Sequence, residues 1–209
     1  MSSRTKTLLW LGVVVMTLWT LAGAAAGNRL AFRNELTTNA WRAVWREMEY
    51  RGGSLAIRCA LTLEGTFHSL TITKTRGALI GYVTGASVSA CSSGGATVLT
   101  AGLPWHVQYE TFTGTLPTIS SVRFRIIGFE FRISEPFGIT CLFRSTEARP
   151  LLMTLNREAS GVLRSGTLGG TIASGEECGL EFTFGGTSTS FGTPPPPPSP
   201  STAITLTLI

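Results

Sequence analysis

Ser121–Ile133 reads SVRFRIIGFEFRI, and its alternation changes phase halfway along. Val122, Phe124 and Ile126 alternate with Arg123 and Arg125, the pattern of an extended strand with one buried face and one wet face. Beyond Ile127-Gly128 the apolar positions become Phe129, Phe131 and Ile133, the opposite parity. A period of two cannot change phase without an extra residue, so a β-bulge or sharp bend is expected at Gly128. A long strand bent in this way passes from one sheet to another.

The same period recurs along the chain. In SLAIRCALTLEG (54–65), Leu55, Ile57, Cys59, Leu61 and Leu63 share a face. FHSLTITKT (67–75), ALIGYVTGASVSAC (78–91), ATVLT (96–100), WHVQYETF (105–112), ITCLF (139–143), LLMTL (151–155) and GLEFTF (179–184) read as further strands between turn residues. Many short strands with frequent turn signals indicate an all-β antiparallel β-sandwich, with a β-barrel as the alternative. One segment is ambiguous. In TTNAWRAVWREMEYRGG (37–53), Trp41, Val44, Trp45 and Met48 fit helical spacing behind a Thr38 or Asn39 cap. Arg51-Gly52-Gly53, however, is a turn into the strong strand that follows, so a strand is expected here. Residues 27–39 are read as an extended lead-in.

The chain closes with TSFGTPPPPPSPSTAITLTLI (189–209). Ile204, Leu206 and Leu208 share one face, as do Leu180, Phe182 and Phe184, so the two segments are expected to pair antiparallel. The prolines then lie within a Pro-rich hairpin loop at 186–202. Without backbone donors they cannot join a sheet, so a stiff surface connection is expected.

At the other end, Arg4 and Lys6 precede an apolar run from Leu8 to Leu21 and an Ala24-Ala25-Ala26 cleavage site. This is the layout of a signal peptide over residues 1–26, a helix removed on export. The alternative is an uncleaved anchor that tethers the domain to a membrane. Residue 24 is Ala where lipid attachment would need Cys. Residues 40–209 then form a single β domain, secreted to the extracellular space or the cell wall.

Losing Arg4 and Lys6 lowers the net charge from +5 to +3, with the arginines scattered, so nucleic acid is not an expected partner. All twelve acidic residues are Glu, which excludes Asp-based triads and most acidic calcium loops. No phosphate-loop, dinucleotide or H-E-x-x-H pattern occurs, so no cofactor is expected. Cys59, Cys91, Cys141 and Cys178 are too widely spaced for a zinc site, and no metal is expected. An even count in an oxidising compartment reads as two disulfides. Of three possible connectivities the sequential one is favoured, Cys59–Cys91 and Cys141–Cys178. Each would contribute roughly 3–4 kcal/mol in the chain-entropy model.

Only two histidines limit the acid–base chemistry. On the strand WHVQYETF, His106, Gln108 and Glu110 face away from Trp105, Val107 and Tyr109. Side chains four apart on a strand start roughly 13 Å apart, too far for a His106–Glu110 dyad. His106 and Gln108, about 7 Å apart, are candidates to line a polar ligand groove; the competing reading is a solvated outer face. Glu64 and His68 of LEGTFH could meet across a turn, which makes Glu64, His68 and Glu110 the catalytic candidates. Trp41, Trp45 and Trp105 are expected in the core. The favoured function is a non-enzymatic structural or binding module for an extracellular glycan or protein. The alternatives are a secreted hydrolase using a Glu/His pair and a membrane-tethered domain.

The phrases RCALTLEGTFHSLTITKTRGALIGYVT, LPWHVQYETFTGTLPTISSVRFRIIGFEF, ITCLFRST and TAITLTLI resemble a group of uncharacterised secreted proteins of actinobacteria. The likeness covers about residues 40–209 and all four cysteines. It implies export and a β-rich fold and carries no catalytic residues over. The proline run departs from the group.

Overall fold

Alternating side chains become antiparallel ladders almost everywhere the period of two was read. The computed structural model describes residues 29–33, 39–52, 55–89, 91–115, 118–134, 140–174, 182–187, 190–192, 194 and 204–208. In chain order the strands are β1 (Arg29–Arg33), β2 (Ala40–Gly52), β3 (Leu55–Phe67), β4 (Thr71–Thr73), β5 (Leu79–Ser89) and β6 (Gly95–Val98). There follow β7 (Trp105–Thr115), β8 (Thr118–Ile127), β9 (Glu130–Ser134), β10 (Thr140–Arg144) and β11 (Leu151–Arg157). The last four are β12 (Leu163–Ser174), β13 (Phe182–Thr187), β14 (Ser190–Gly192) and β15 (Thr205–Leu208). Among the described residues the one helical element is a 3-10 turn at Thr100–Gly102.

The pairings run β2–β3–β5–β7–β8–β11–β12–β13 and return to β2, a hydrogen-bonded circuit around a common apolar interior. The circuit forks at β12. Leu163–Gly169 pair with β11, whereas Ala173 and Ser174 pair with β10, which continues into β9 and β6. The fold is therefore a rolled ladder with a branch, not a plain closed barrel. The branch lays its apolar face against the interior of the roll: Phe131 stacks on Tyr50 with centroids 4.5 Å apart, and Phe129 meets Trp105 edge-on at 5.1 Å. A separate three-stranded sheet has the order β15–β1–β4.

The expected bend is present. Ile126 and Phe129 are both buried although three residues apart, and Gly128 between them has φ +90°, a conformation that costs glycine little. At this point the chain leaves β8 in the roll for β9 in the branch. The ambiguous segment is a strand, and its helix-like spacing has the same cause. A register shift between Trp45 and Met48 leaves Arg46 and Glu47 both exposed, so Trp41, Ala43 and Trp45 face the core and Met48 and Tyr50 do so again. Trp41, Trp45 and Trp105 are buried as expected.

The lead-in at 27–39 is extended where it is described, with Arg29–Arg33 paired to β15 on one side and β4 on the other. One expectation about the C-terminal end needs correcting. Among the described residues β13 and β15 do not pair, although a hairpin at 186–202 requires it. Gly186–Thr187 belong to β13 and Ser190–Gly192 form β14 on β2, while β15 pairs with β1. The physical reason is that β12 and β2 occupy both edges of β13, leaving none for β15. Pro195–Thr202 and the signal segment 1–26 lie outside the described residues. Among the described residues no helix is long and apolar enough to cross a membrane.

Cys59 is bonded to Cys91 across 32 residues, tying β3 to the segment after β5. Ser92 braces the link: its N–H donates to the Arg58 carbonyl at 2.8 Å and its Oγ accepts from the Arg58 N–H at 3.1 Å. Cys141 is buried on β10, and its expected partner Cys178 lies outside the described residues.

Candidate functional site

Cross-strand register sets a row of side chains on the outer face of the roll. Thr66 of β3 lies opposite Tyr82 of β5, Tyr82 opposite His106 of β7, and His106 opposite Ile127 of β8. Tyr82 points outward because β5 shifts register between Leu79 and Gly81. Ile80 turns into the core, and Gly81 lies where a Cβ would strike the Thr66 carbonyl. Val83 then faces inward and Tyr82 outward.

Both histidines of the chain flank this tyrosine. The His106 ring is 5.7 Å from Tyr82, tilted by 53°, and the His68 ring is 4.8 Å away at 58°. His68 directly follows β3, held by its N–H donating to the Ile80 carbonyl at 2.9 Å. The two imidazoles are exposed and Tyr82 is half-buried.

The adjacent row is ionic. Gln108 lies opposite Arg125 and Leu79. Its Nε2 donates to Glu147 Oε1 at 2.8 Å, and its Oε1 accepts from Arg125 Nη1 at 3.3 Å. Arg125 pairs with Glu110 and Glu147, each at 3.5 Å, and donates to the Glu147 carbonyl. Arg76 reaches the other oxygen of Glu110 at 2.6 Å. This network fastens the loop after β10 to the face of β7 and β8.

The candidates thus separate. His106 and His68, unconnected in the sequence reading, come together around Tyr82. Gln108 is buried with its amide bonded on both sides, so it braces the sheet and does not line an open groove. Glu64 pairs with Arg42 at 3.4 Å, and Glu110 lies between Arg76 and Arg125. Among the described residues no hydrogen bond or ion pair joins either imidazole to a carboxylate. Sequence reasoning missed Tyr82 and Arg125. Tyr82 shares parity with buried Ile80, so alternation alone would place it in the core, and only the register shift before Gly81 turns it outward. Arg125 was read as outward, but its partner Glu147 is too distant in sequence for spacing to suggest. Among the described residues no cluster of three metal-binding side chains occurs.

No protein-family model, curated protein or solved structure matches the chain.

Proposed function

We propose that the chain is an exported β-domain, secreted or held at the cell wall, that serves as a structural or binding module and not as a hydrolase. One observation carries this reading: Glu64 and Glu110 pair with arginines, and the two imidazoles lie against Tyr82 and not against a described carboxylate. Hydrolysis by Glu64, His68 or Glu110 requires groups that converge on one substrate atom. The Cys59–Cys91 bond suits an oxidising compartment, and the leader-like N-terminus and the resemblance to secreted actinobacterial proteins support the same placement.

Two finer features belong to this reading. The roll and its β6–β9–β10 branch act as the facing layers of a sandwich, joined through Tyr50–Phe131 and Trp105–Phe129. Cys141 pairs with Cys178. The register Phe143↔Ser174 brings the end of β12 opposite a residue two positions from Cys141, and no described cysteine is free. Peptide mapping without reduction should recover a fragment holding both; Cys141 linked elsewhere overturns the pairing.

The test of function is a screen of the mature protein against ester, glycoside and peptide substrates, together with fractionation of the producing cells. Absence of turnover and recovery from medium or wall are the expected results. Turnover abolished by both Glu64→Gln and His68→Ala would establish the hydrolase instead. Full-length chain with Leu8–Ala26 intact in membranes would replace secretion with tethering.

A further inference from the structure

We infer that the His68–Tyr82–His106 row is a saccharide-binding site, taking a neutral glycan chain laid across β3, β5 and β7. This rests on the reading of the domain as an extracellular binding module and names its site and ligand. Three rings touch in sequence on the outer face of the roll, tilted by 58° and 53° into a corrugated row with both imidazoles exposed. Tyr and His rings have an apolar face and a polar edge, matching sugars, whose C–H faces alternate with hydroxyls. From β3 to β7 the row crosses two strand spacings, roughly 10 Å, enough for a short run of sugar units.

The surrounding charge points to a neutral ligand. Arg125 and Arg76 are paired with Glu110 and Glu147, and Arg42 with Glu64, so the cations nearest the row are already compensated. A protein partner fits less well. Stable interfaces bury about 800 Å² per partner around apolar anchors. Among the described residues only Leu70 and Leu79 are large exposed hydrophobic side chains, 36% and 40% exposed.

The test is affinity electrophoresis of the oxidised mature protein through gels containing soluble neutral polysaccharides: β-glucan, α-glucan, galactomannan and arabinogalactan. At least one should retard the protein. Tyr82→Ala and His106→Ala should each weaken retardation by roughly tenfold, the size expected for loss of one good ring contact. Tyr82→Phe should keep most of it, and Asn156→Ala, an exposed change on β11, should be silent. Equal melting temperatures would separate lost binding from lost fold. Retardation by none of the four, or retardation insensitive to Tyr82→Ala and His106→Ala, overturns the inference. Either result leaves export and the absence of hydrolysis standing, because fractionation and the substrate screen decide those. Capture of a protein through Tyr82 without retardation by any glycan would also overturn it, since the ligand class would be wrong.

Discussion

Ending the chain at Ala203 removes β15, and the structure sets the size of the effect. Ile204 and Leu206 are 2% and 0% exposed. Burying such side chains is worth about 1.5–3 kcal/mol each, so their loss costs about 3–6 kcal/mol. Three hydrogen bonds go as well. The Leu163 N–H donates to the Ile204 carbonyl at 2.7 Å, the Leu206 N–H to the Gly161 carbonyl at 2.9 Å, and Arg157 Nε to the Leu206 carbonyl at 3.0 Å. At a net contribution of about 1 kcal/mol apiece they add about 3 kcal/mol. β1 also loses its pairing from Leu30↔Leu208 to Arg33↔Thr205. The total, roughly 6–9 kcal/mol, is comparable with a typical domain stability of about 5–15 kcal/mol. The truncated protein should therefore be unfolded or only partly folded. Guanidinium unfolding followed by tryptophan fluorescence measures this, since Trp41, Trp45 and Trp105 are all buried. Leu206→Ala gives a graded version, with an expected loss of about 2–5 kcal/mol and an unchanged m-value. A truncated protein within about 1 kcal/mol of the full chain would mean that β15 is a dangling end, and would refute the reasoning.

Three further outcomes follow from particular contacts. Replacing 186–201 by Asn-Gly is silent if the segment is a hairpin loop; here it deletes β14 and Phe191, which is buried and stacks on Trp41 at 6.1 Å, so a loss of at least about 1.5–3 kcal/mol in a denaturant midpoint is expected. Gly65→Ala places a Cβ into the Trp41 ring and the Tyr82 carbonyl, neither free to move, and should cost about 1–3 kcal/mol; an unchanged melting temperature would mean that Trp41 is seated elsewhere. Burial raises the Tyr50 phenol well above its ordinary 10.0, so the folded protein holds that proton more tightly than the unfolded chain. Its contribution is full below pH 10 and is lost as pH rises beyond, by up to about 1.4 kcal/mol per pH unit, so Tyr50→Phe should flatten the decline in urea midpoints between pH 10 and 11.5.

How much of this was legible in the sequence depended on whether a strand's pattern is its own. Ile57–Leu63 and Val122–Ile133 each have one face on the core, so alternation revealed them, and the switch at Gly128 revealed the passage between layers. β12 was invisible. Ser165, Gly166, Gly169 and Gly170 give it no clear apolar face, and it is extended because β11 and β13 flank it. A Cβ on Gly170 would crowd the Pro150 carbonyl, so close neighbours and not propensity explain this glycine. The partner of β15 was misjudged for a related reason. Side-chain parity fits any apolar strand, and only the occupied edges of β13 exclude it. Of the site, the two histidines were legible as residue types, but their meeting around Tyr82 depends on the pairing of β3, β5 and β7, three strands whose alignment no local pattern fixes.

That dependence bears on where function resides. The interior already holds Trp41, Trp45 and Trp105, and the branch contributes Phe129, Phe131 and Phe143, so the aromatic residues there act as filling. The exposed positions of β5 after Tyr82 are Thr84, Ser87 and Ser89, side chains suited to a plain wet face. Tyr82 breaks that pattern, and does so opposite His106 and against His68. A large ring on the solvent side gains less from burial than one inside, and its contacts here are with His106 across the strands and with His68. The saccharide site proposed above accounts for a ring at a position the interior does not need. Among the described residues of β5, Leu79 and Tyr82 are the large outward side chains, and the row of Tyr82 contains both histidines of the chain.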